Sequence, residues 1–151
     1  MPHIDNHVTI DAPLERVYAL AKDVESFPQF MPDVESVNVA ERDQSGSRTV
    51  TDWVGVARDF KLKIRWTEED VWDDVAHTCR FHQLRGDYKS YAGTWTFSDD
   101  DGKTLFASSI DYEIEIPMIG ALLKAVIGRL MRDNTQKVLE AIKTRAEQAE
   151  P

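Results

Sequence analysis

The pattern of apolar and polar positions changes character twice along the chain. Over 3–10 (HIDNHVTI) β-forming residues alternate loosely, and Asp11-Ala12-Pro13 then offers a hydrogen-bond acceptor and a first-turn proline, which predicts a helix start. Leu14, Val17, Tyr18 and Ala21 follow at helical spacing. The stretch at 26–32 (SFPQFMP) is cut by two prolines, so it holds at most a short helical turn. Its large apolar side chains, Phe27, Phe30 and Met31, read as a lid or a corner.

From Glu35 onward the chain runs in segments of about 8 to 12 residues between turn signals. These signals are DQSG at 43–46, Arg58-Asp59, Asp73-Asp74, Arg85-Gly86-Asp87 and DDDG at 99–102. Sequential antiparallel strands are predicted. The clearest is the last, over 104–116, where Phe106, Ser108, Ile110, Tyr112, Ile114 and Ile116 share one parity and Ala107, Ser109, Asp111, Glu113 and Glu115 the other. One face is therefore buried and the other wet.

Pro117 ends that strand, and a helix is predicted over 118–147 with Ile119, Leu122, Leu123, Val126, Ile127, Leu130, Met131, Val138, Leu139 and Ile142 on its apolar face. Such a helix is roughly 45 Å long, and the strand before it roughly 43 Å. The two match along their full length. The predicted fold class is α+β: a curved antiparallel seven-stranded sheet around one long C-terminal helix, with two short helices after the first strand, all in a single domain over 1–151. A helix is about 10 Å across, and a sheet of this many strands spreads to near 30 Å. One helix leaves part of that concavity open, and the remainder is closed by large side chains, by the short helices or by a ligand.

Composition narrows the partners. With 42% apolar residues among 151, the chain has material for a core. Its 27 acidic and 18 basic residues give a net charge of −9, without a basic cluster, which argues against nucleic acid and anionic membranes as partners. The first residues lack the pattern of a secretory signal, and Cys79 is the single cysteine, so a cytoplasmic location is expected. The apolar stretch at 118–131 contains Lys124 and Arg129 and is too short for stable membrane insertion. His3, His7, His77 and His82 have no metal-ligand spacing. Neither a phosphate-binding glycine loop nor a serine-nucleophile motif occurs, so no metal and no cofactor is expected.

Several short segments in this order resemble one group. They are Ala12-Pro13 with Val17-Tyr18, DVESFPQF at 23–30, Gly86-Asp87-Tyr88, GTWTF at 93–97, and Ile116-Pro117 followed by IGALL at 119–123. Together they resemble the START-like (SRPBCC, helix-grip) superfamily, in particular its coenzyme Q-binding and polyketide cyclase/dehydrase branch. The resemblance covers nearly the whole chain and implies the helix-grip fold. It also implies a hydrophobic ligand, such as a lipid, an isoprenoid quinone or a polyketide-like chain. In the aromatase/cyclase members of that group, polar and basic side chains orient a poly-β-ketone for aldol closure and loss of water. The matching stretch here, 62–70, offers Glu68 and Asp70 and no inward serine–arginine pair.

Within a single strand, Leu62, Ile64, Trp66 and Glu68 share a parity, which aims Glu68 inward unless the strand twists out to solvent near Glu69-Asp70. An inward carboxyl in apolar surroundings has a raised pKa and serves as a proton donor to a ligand carbonyl or as a general acid/base. Asn134 lies on the apolar stripe of the last helix and presents its amide either to a ligand or to backbone and water. Tyr91, Gly93, Trp95 and Phe97 share a parity and form an aromatic lining, with Gly93 marking a close backbone approach. Trp53 stays open, because Val50, Val54 and Val56 take the opposite parity.

The candidate ligand-binding set is thus Phe30, Trp66, Glu68, Phe81, Tyr91, Trp95, Ile110, Tyr112, Met131 and Asn134. The leading expectation is a non-enzymatic carrier, monomeric or weakly homodimeric, for a hydrophobic small molecule. The alternatives are a cyclase/dehydrase using Glu68, Tyr91 or Tyr112 as acid/base, and a protein-interaction module of a toxin or chaperone type. The module predicts a filled cavity and an exposed apolar patch at 27–31.

Overall fold

In the computed structural model, which describes residues 2–57, 62–114 and 121–148, every strand is antiparallel to its neighbours. The chain order is β1 (His3–Ile10), α1 (Leu14–Lys22), a 3-10 turn (Val24–Gln29), β2 (Val34–Arg42) and β3 (Arg48–Ala57). It continues with β4 (Leu62–Asp73), β5 (Thr78–Gly86), β6 (Ser90–Asp100), β7 (Lys103–Glu113) and α2 (Ala121–Glu147). The seven strands form one sheet in the order β1-β7-β6-β5-β4-β3-β2. This is the helix-grip arrangement expected from the sequence. The Arg58-Asp59 turn, the strand end at Ile116-Pro117 and the first residues of the predicted last helix lie outside the described residues.

The first helix starts differently from the expectation. Asp11 supplies no cap: Pro13 stands at the N-cap in extended conformation, and its carbonyl accepts the N–H groups of Arg16 and Val17. Proline fits here because its own missing N–H would have had no helical partner. The backbone N–H of Asp11 instead donates to the Glu147 carboxylate at 2.7 Å, tying the end of α2 to the end of β1.

Strand parity follows the pleat. Thr104, Phe106, Ser108, Ile110 and Tyr112 of β7 are buried while Lys103 and Asp111 are exposed. Two edges terminate the sheet. β1 is covered by α2: Asn6 Nδ2 donates to the Arg132 carbonyl at 3.2 Å and to Gln136 Oε1 at 2.9 Å. The other edge, β2, lies beside the 3-10 turn, where Glu25 accepts the Val39 N–H at 3.0 Å.

Packing divides α2 into two halves. Leu139, Ile142 and Ala146 are fully covered, in one core with Ile4, Val17, Phe27 and Phe106. Each of the larger ones, Leu139 and Ile142 included, contributes about 1.5–3 kcal/mol through burial. Upstream, Val126, Ile127, Leu130, Met131, Asn134 and Val138 are only half-buried, although they continue the same stripe. The helix rests on packed side chains at its C-terminal end and spans a hollow at the other.

Candidate functional site

The hollow is a cavity of about 510 Å³ between β3–β7 and the first half of α2. That volume falls within the range of small-molecule sites. β4 is its spine, because Ile64, Trp66, Glu68, Asp70 and Trp72 occupy one parity and all reach the cavity wall. The strand does not twist out at Glu69-Asp70: Glu68 is 5% exposed and Asp70 4%. Trp53 also faces in, since it pairs in register with Trp66, as Thr51 does with Glu68 and Thr49 with Asp70.

These register pairs place the polar groups of the site. Thr51 donates its hydroxyl to Asp70 Oδ2 at 2.7 Å and Thr49 does so at 3.2 Å. Trp53 Nε1–H donates to Thr51 Oγ1 at 2.8 Å, and Trp66 Nε1–H to Glu68 Oε1 at 2.7 Å. Glu68 and Asp70 are themselves hydrogen-bonded to each other. Burial pushes the Glu68 carboxyl well above the usual carboxylate range, with the adjacent charge of Asp70 adding to the rise. Burial also raises Asp70, but hydrogen bonds from Glu68, Thr51 and Thr49 oppose that rise. Glu68 therefore holds the proton and donates it to Asp70. Two carboxyls this close do not both ionise readily in low dielectric.

Rings enclose this pair. Trp53 and Trp66 stack, Trp66 meets Tyr88 and Tyr91 with centroids 5.6 Å away in each case, and Tyr88 and Tyr91 stack at 4.7 Å. Burial raises both tyrosines, with any charge on Glu68 adding to the rise, so their phenols stay neutral. Gly86, at φ +148, lets the end of β5 lie directly on Trp66, where a Cβ would come within 2.5 Å of the Trp66 Cα. Gly93 allows the Phe81 ring to lie over β6, since a Cβ there would sit 2.7 Å from a ring carbon.

Of the residues singled out in the sequence, Trp66, Glu68, Phe81, Tyr91, Trp95, Ile110, Met131 and Asn134 stand on the cavity wall. Asn134 makes no hydrogen bond among the described residues, leaving its amide available to the cavity. Two others are placed elsewhere. Phe30 packs edge-on against Phe27 at 6.0 Å and under the Arg145 guanidinium at 5.1 Å, because the 3-10 turn directs it toward the end of α2. Tyr112 has the inward parity, but α2 lies over it: a Cβ on Gly128 would be 3.0 Å from the Tyr112 hydroxyl. Helix packing removes it from the cavity.

Sequence reasoning passed over Trp72, Tyr88, Thr49 and Thr51, and it left open whether the strand turns out to solvent near Glu69-Asp70. The signal for Asp70 and Trp72 was the parity of β4 carried two and four residues further. Cys79 is also on the wall, its thiol pushed up first by burial and then by the charge of Asp70, and so it is unreactive.

No group of three or more His, Cys, Asp or Glu side chains among the described residues is arranged to hold a metal ion. On the outer sheet face Ser109 Oγ lies 3.4 Å from His3 Nε2, but His3 also bonds Asp111 at 2.6 Å and Asp5 at 2.9 Å. The hydrogen bonds to Asp111 and Asp5 favour the imidazolium, which has no lone pair with which to take a serine proton. No helix among the described residues is long and apolar enough to cross a membrane.

Comparison with known proteins adds three results. Residues 10–139 match the family described as polyketide cyclase / dehydrase and lipid transport. Among solved structures, TTHA0849 from Thermus thermophilus superposes with a TM-score of 0.90 at 38% identity, covering 96% of this chain and 97% of that one. The Zhui aromatase/cyclase from Streptomyces sp. R1128 superposes with a TM-score of 0.84 at 20% identity, covering 96% and 93%. Among curated proteins, the ribosome association toxin RatA of Escherichia coli K12 is 21% identical over 150 residues, which are 98% of this chain and 89% of that protein.

Proposed function

Because the chain belongs to the polyketide cyclase/dehydrase and lipid transport family, we propose that its cavity binds and carries one hydrophobic small molecule, acting as a single domain over 1–151. The observation that carries this reading is the half-buried stripe of α2 over a hollow of about 510 Å³. Apolar side chains left without protein neighbours gain from a ligand that removes them from water. At roughly 25 cal/mol per Å², covering about 300 Å² of apolar surface contributes ~7 kcal/mol before the costs of association. Asn134 and the Glu68–Asp70 pair hold the ligand's polar end. We further place this carrier in the cytoplasm, as a monomer or weak homodimer.

The test is native mass spectrometry of the protein purified from its own host. A co-purifying apolar molecule that is lost when Ile127 and Leu130 are replaced by Asp supports the carrier. A protein that never retains or takes up an apolar ligand overturns it.

One observation favours a second reading. Two carboxyls sharing a proton inside an aromatic cavity suit acid/base chemistry of the cyclase/dehydrase kind, with Glu68 as acid. Turnover of an aromatisable poly-ketone mimic that disappears in Glu68→Gln would establish it. The interaction-module reading has less support, since it needs a filled cavity and exposure at 27–31, whereas Phe27 and Met31 are buried.

A further inference from the structure

The hydrogen bonds of the carboxyl pair show which kind of ligand group it lacks. Its five polar hydrogens are all in use: Trp53 on Thr51, Thr51 and Thr49 on Asp70, Trp66 on Glu68, and Glu68 on Asp70. At the carboxyl pair itself a ligand carbonyl would have to break one of these bonds to be accepted, and the Asn134 amide elsewhere on the wall is the group with hydrogens to give. The pair has spare lone pairs and no spare hydrogen, so it suits a ligand that brings its own.

Charge points the same way. Buried charges are normally paired, yet among the described residues no Lys, Arg or His bonds either carboxyl. Among the described residues the one lysine on the cavity wall, Lys63, is engaged with Glu35 at 2.9 Å. Asp33, ion-paired with Lys137 at 3.7 Å, and Asp87, which accepts the Arg65 N–H at 2.8 Å, are further acidic residues on the wall. An anionic headgroup would meet like charge in low dielectric, at a large cost. The faces of Trp53, Trp66, Tyr88 and Tyr91 attract a cation.

We propose that the polar end of the cavity is a site for the protonated amine of an amphipathic molecule, its ammonium seated against Glu68 and Asp70 among the stacked rings and its apolar tail under α2. This rests on the carrier reading and names its ligand class.

The test compares three probes with the same tail, dodecylamine, dodecanol and dodecanoate, at neutral pH and below self-association. Each is titrated into the wild-type protein while Trp fluorescence and binding heat are followed. The expected order is amine tighter than alcohol by about tenfold, with dodecanoate weakest. In Asp70→Asn the amine-to-alcohol ratio falls to near one.

Alcohol binding as tightly as amine, or dodecanoate binding tightest, overturns the amine site and leaves the carrier standing. Failure of all three to bind overturns both. The wild-type series decides without the variant, so a misfolded Asp70→Asn does not obscure the result.

Discussion

Trp53 and Trp66 face each other across β3 and β4 with ring centroids 5.7 Å apart and planes 6° from parallel, and both indole N–H groups feed the same carboxyl pair. Trp66 reaches Glu68 directly, while Trp53 reaches Asp70 through the Thr51 hydroxyl. The stack thus fixes the electrostatics of the cavity as well as its shape. Replacing Trp66 by Phe keeps the ring and removes one donor, leaving Glu68 Oε1 buried and unpaired. A stability loss of about 1–3 kcal/mol is expected, read from urea midpoints; no change would mean that the bond contributes nothing net.

The two carboxyls should tolerate amide substitution unequally. Gln at 68 still donates to Asp70 and accepts from Trp66, so Glu68→Gln is expected to cost under about 1 kcal/mol. Asn at 70 can keep one acceptor oxygen for both Thr hydroxyls, which share Oδ2, but then turns its amide N–H toward the Glu68 hydroxyl, which also donates. Asp70→Asn is therefore expected to cost about 1–3 kcal/mol. Equal losses in paired denaturation curves would contradict the assigned direction of the proton.

Stability should depend on pH through the same pair. Both carboxyls have folded pKa values raised above their unfolded values. The native state therefore binds more protons than the unfolded chain once pH exceeds the ordinary carboxylate range. Unfolding free energy then falls as pH rises, until the folded groups ionise. Relative to Glu68→Gln, the wild type should gain stability between pH 8 and pH 5. An unchanged difference in urea midpoints across that interval would mean that Glu68 does not hold a proton in the folded state.

Gly93 is expected to resist even the smallest side chain. A Cβ there would lie 2.6 Å from the Ser109 carbonyl oxygen, which is backbone, and 2.7 Å from the Phe81 ring. Gly93→Ala should cost about 1–3 kcal/mol and push Phe81 into the cavity, weakening uptake of any apolar probe. Wild-type stability and uptake in this variant would show that the sheet relaxes around the methyl group.

Truncations along α2 should separate its two halves. Leu139 is packed on all sides, so Leu139→Ala is expected to cost about 2–5 kcal/mol. Met131 faces the hollow, and Met131→Ala is expected to cost less, because part of the space it would leave already exists. Comparable losses at both positions would mean that the cavity is filled in solution.

The fold was readable because its main determinants are periodic. The alternation in β7 and the 3–4 spacing in α2 hold across the described residues. The site was readable as far as parity reaches: Glu68 and Trp66 follow from one strand taken alone. Its other half depends on which residue of β3 lies opposite which residue of β4, so Thr49, Thr51 and Trp53 emerge only with the register. Trp53 shows the difficulty directly, since valines of the opposite parity give β3 two plausible faces. Tyr112 fails for another reason, because whether an inward residue meets helix or hollow depends on where α2 crosses it, and no single-strand pattern records that.

The unequal seating of α2 carries a kinetic consequence. Segments with few packed neighbours open at a fraction of the global unfolding free energy. Backbone amides near Leu130 should therefore exchange with deuterium much faster than those near Leu139 in the empty protein, and bound ligand should slow the former selectively. Uniform exchange along the helix would count against this. With such a gradient, loading and unloading are governed by a local opening of the roof, and cargo turns over while the rest of the molecule stays folded.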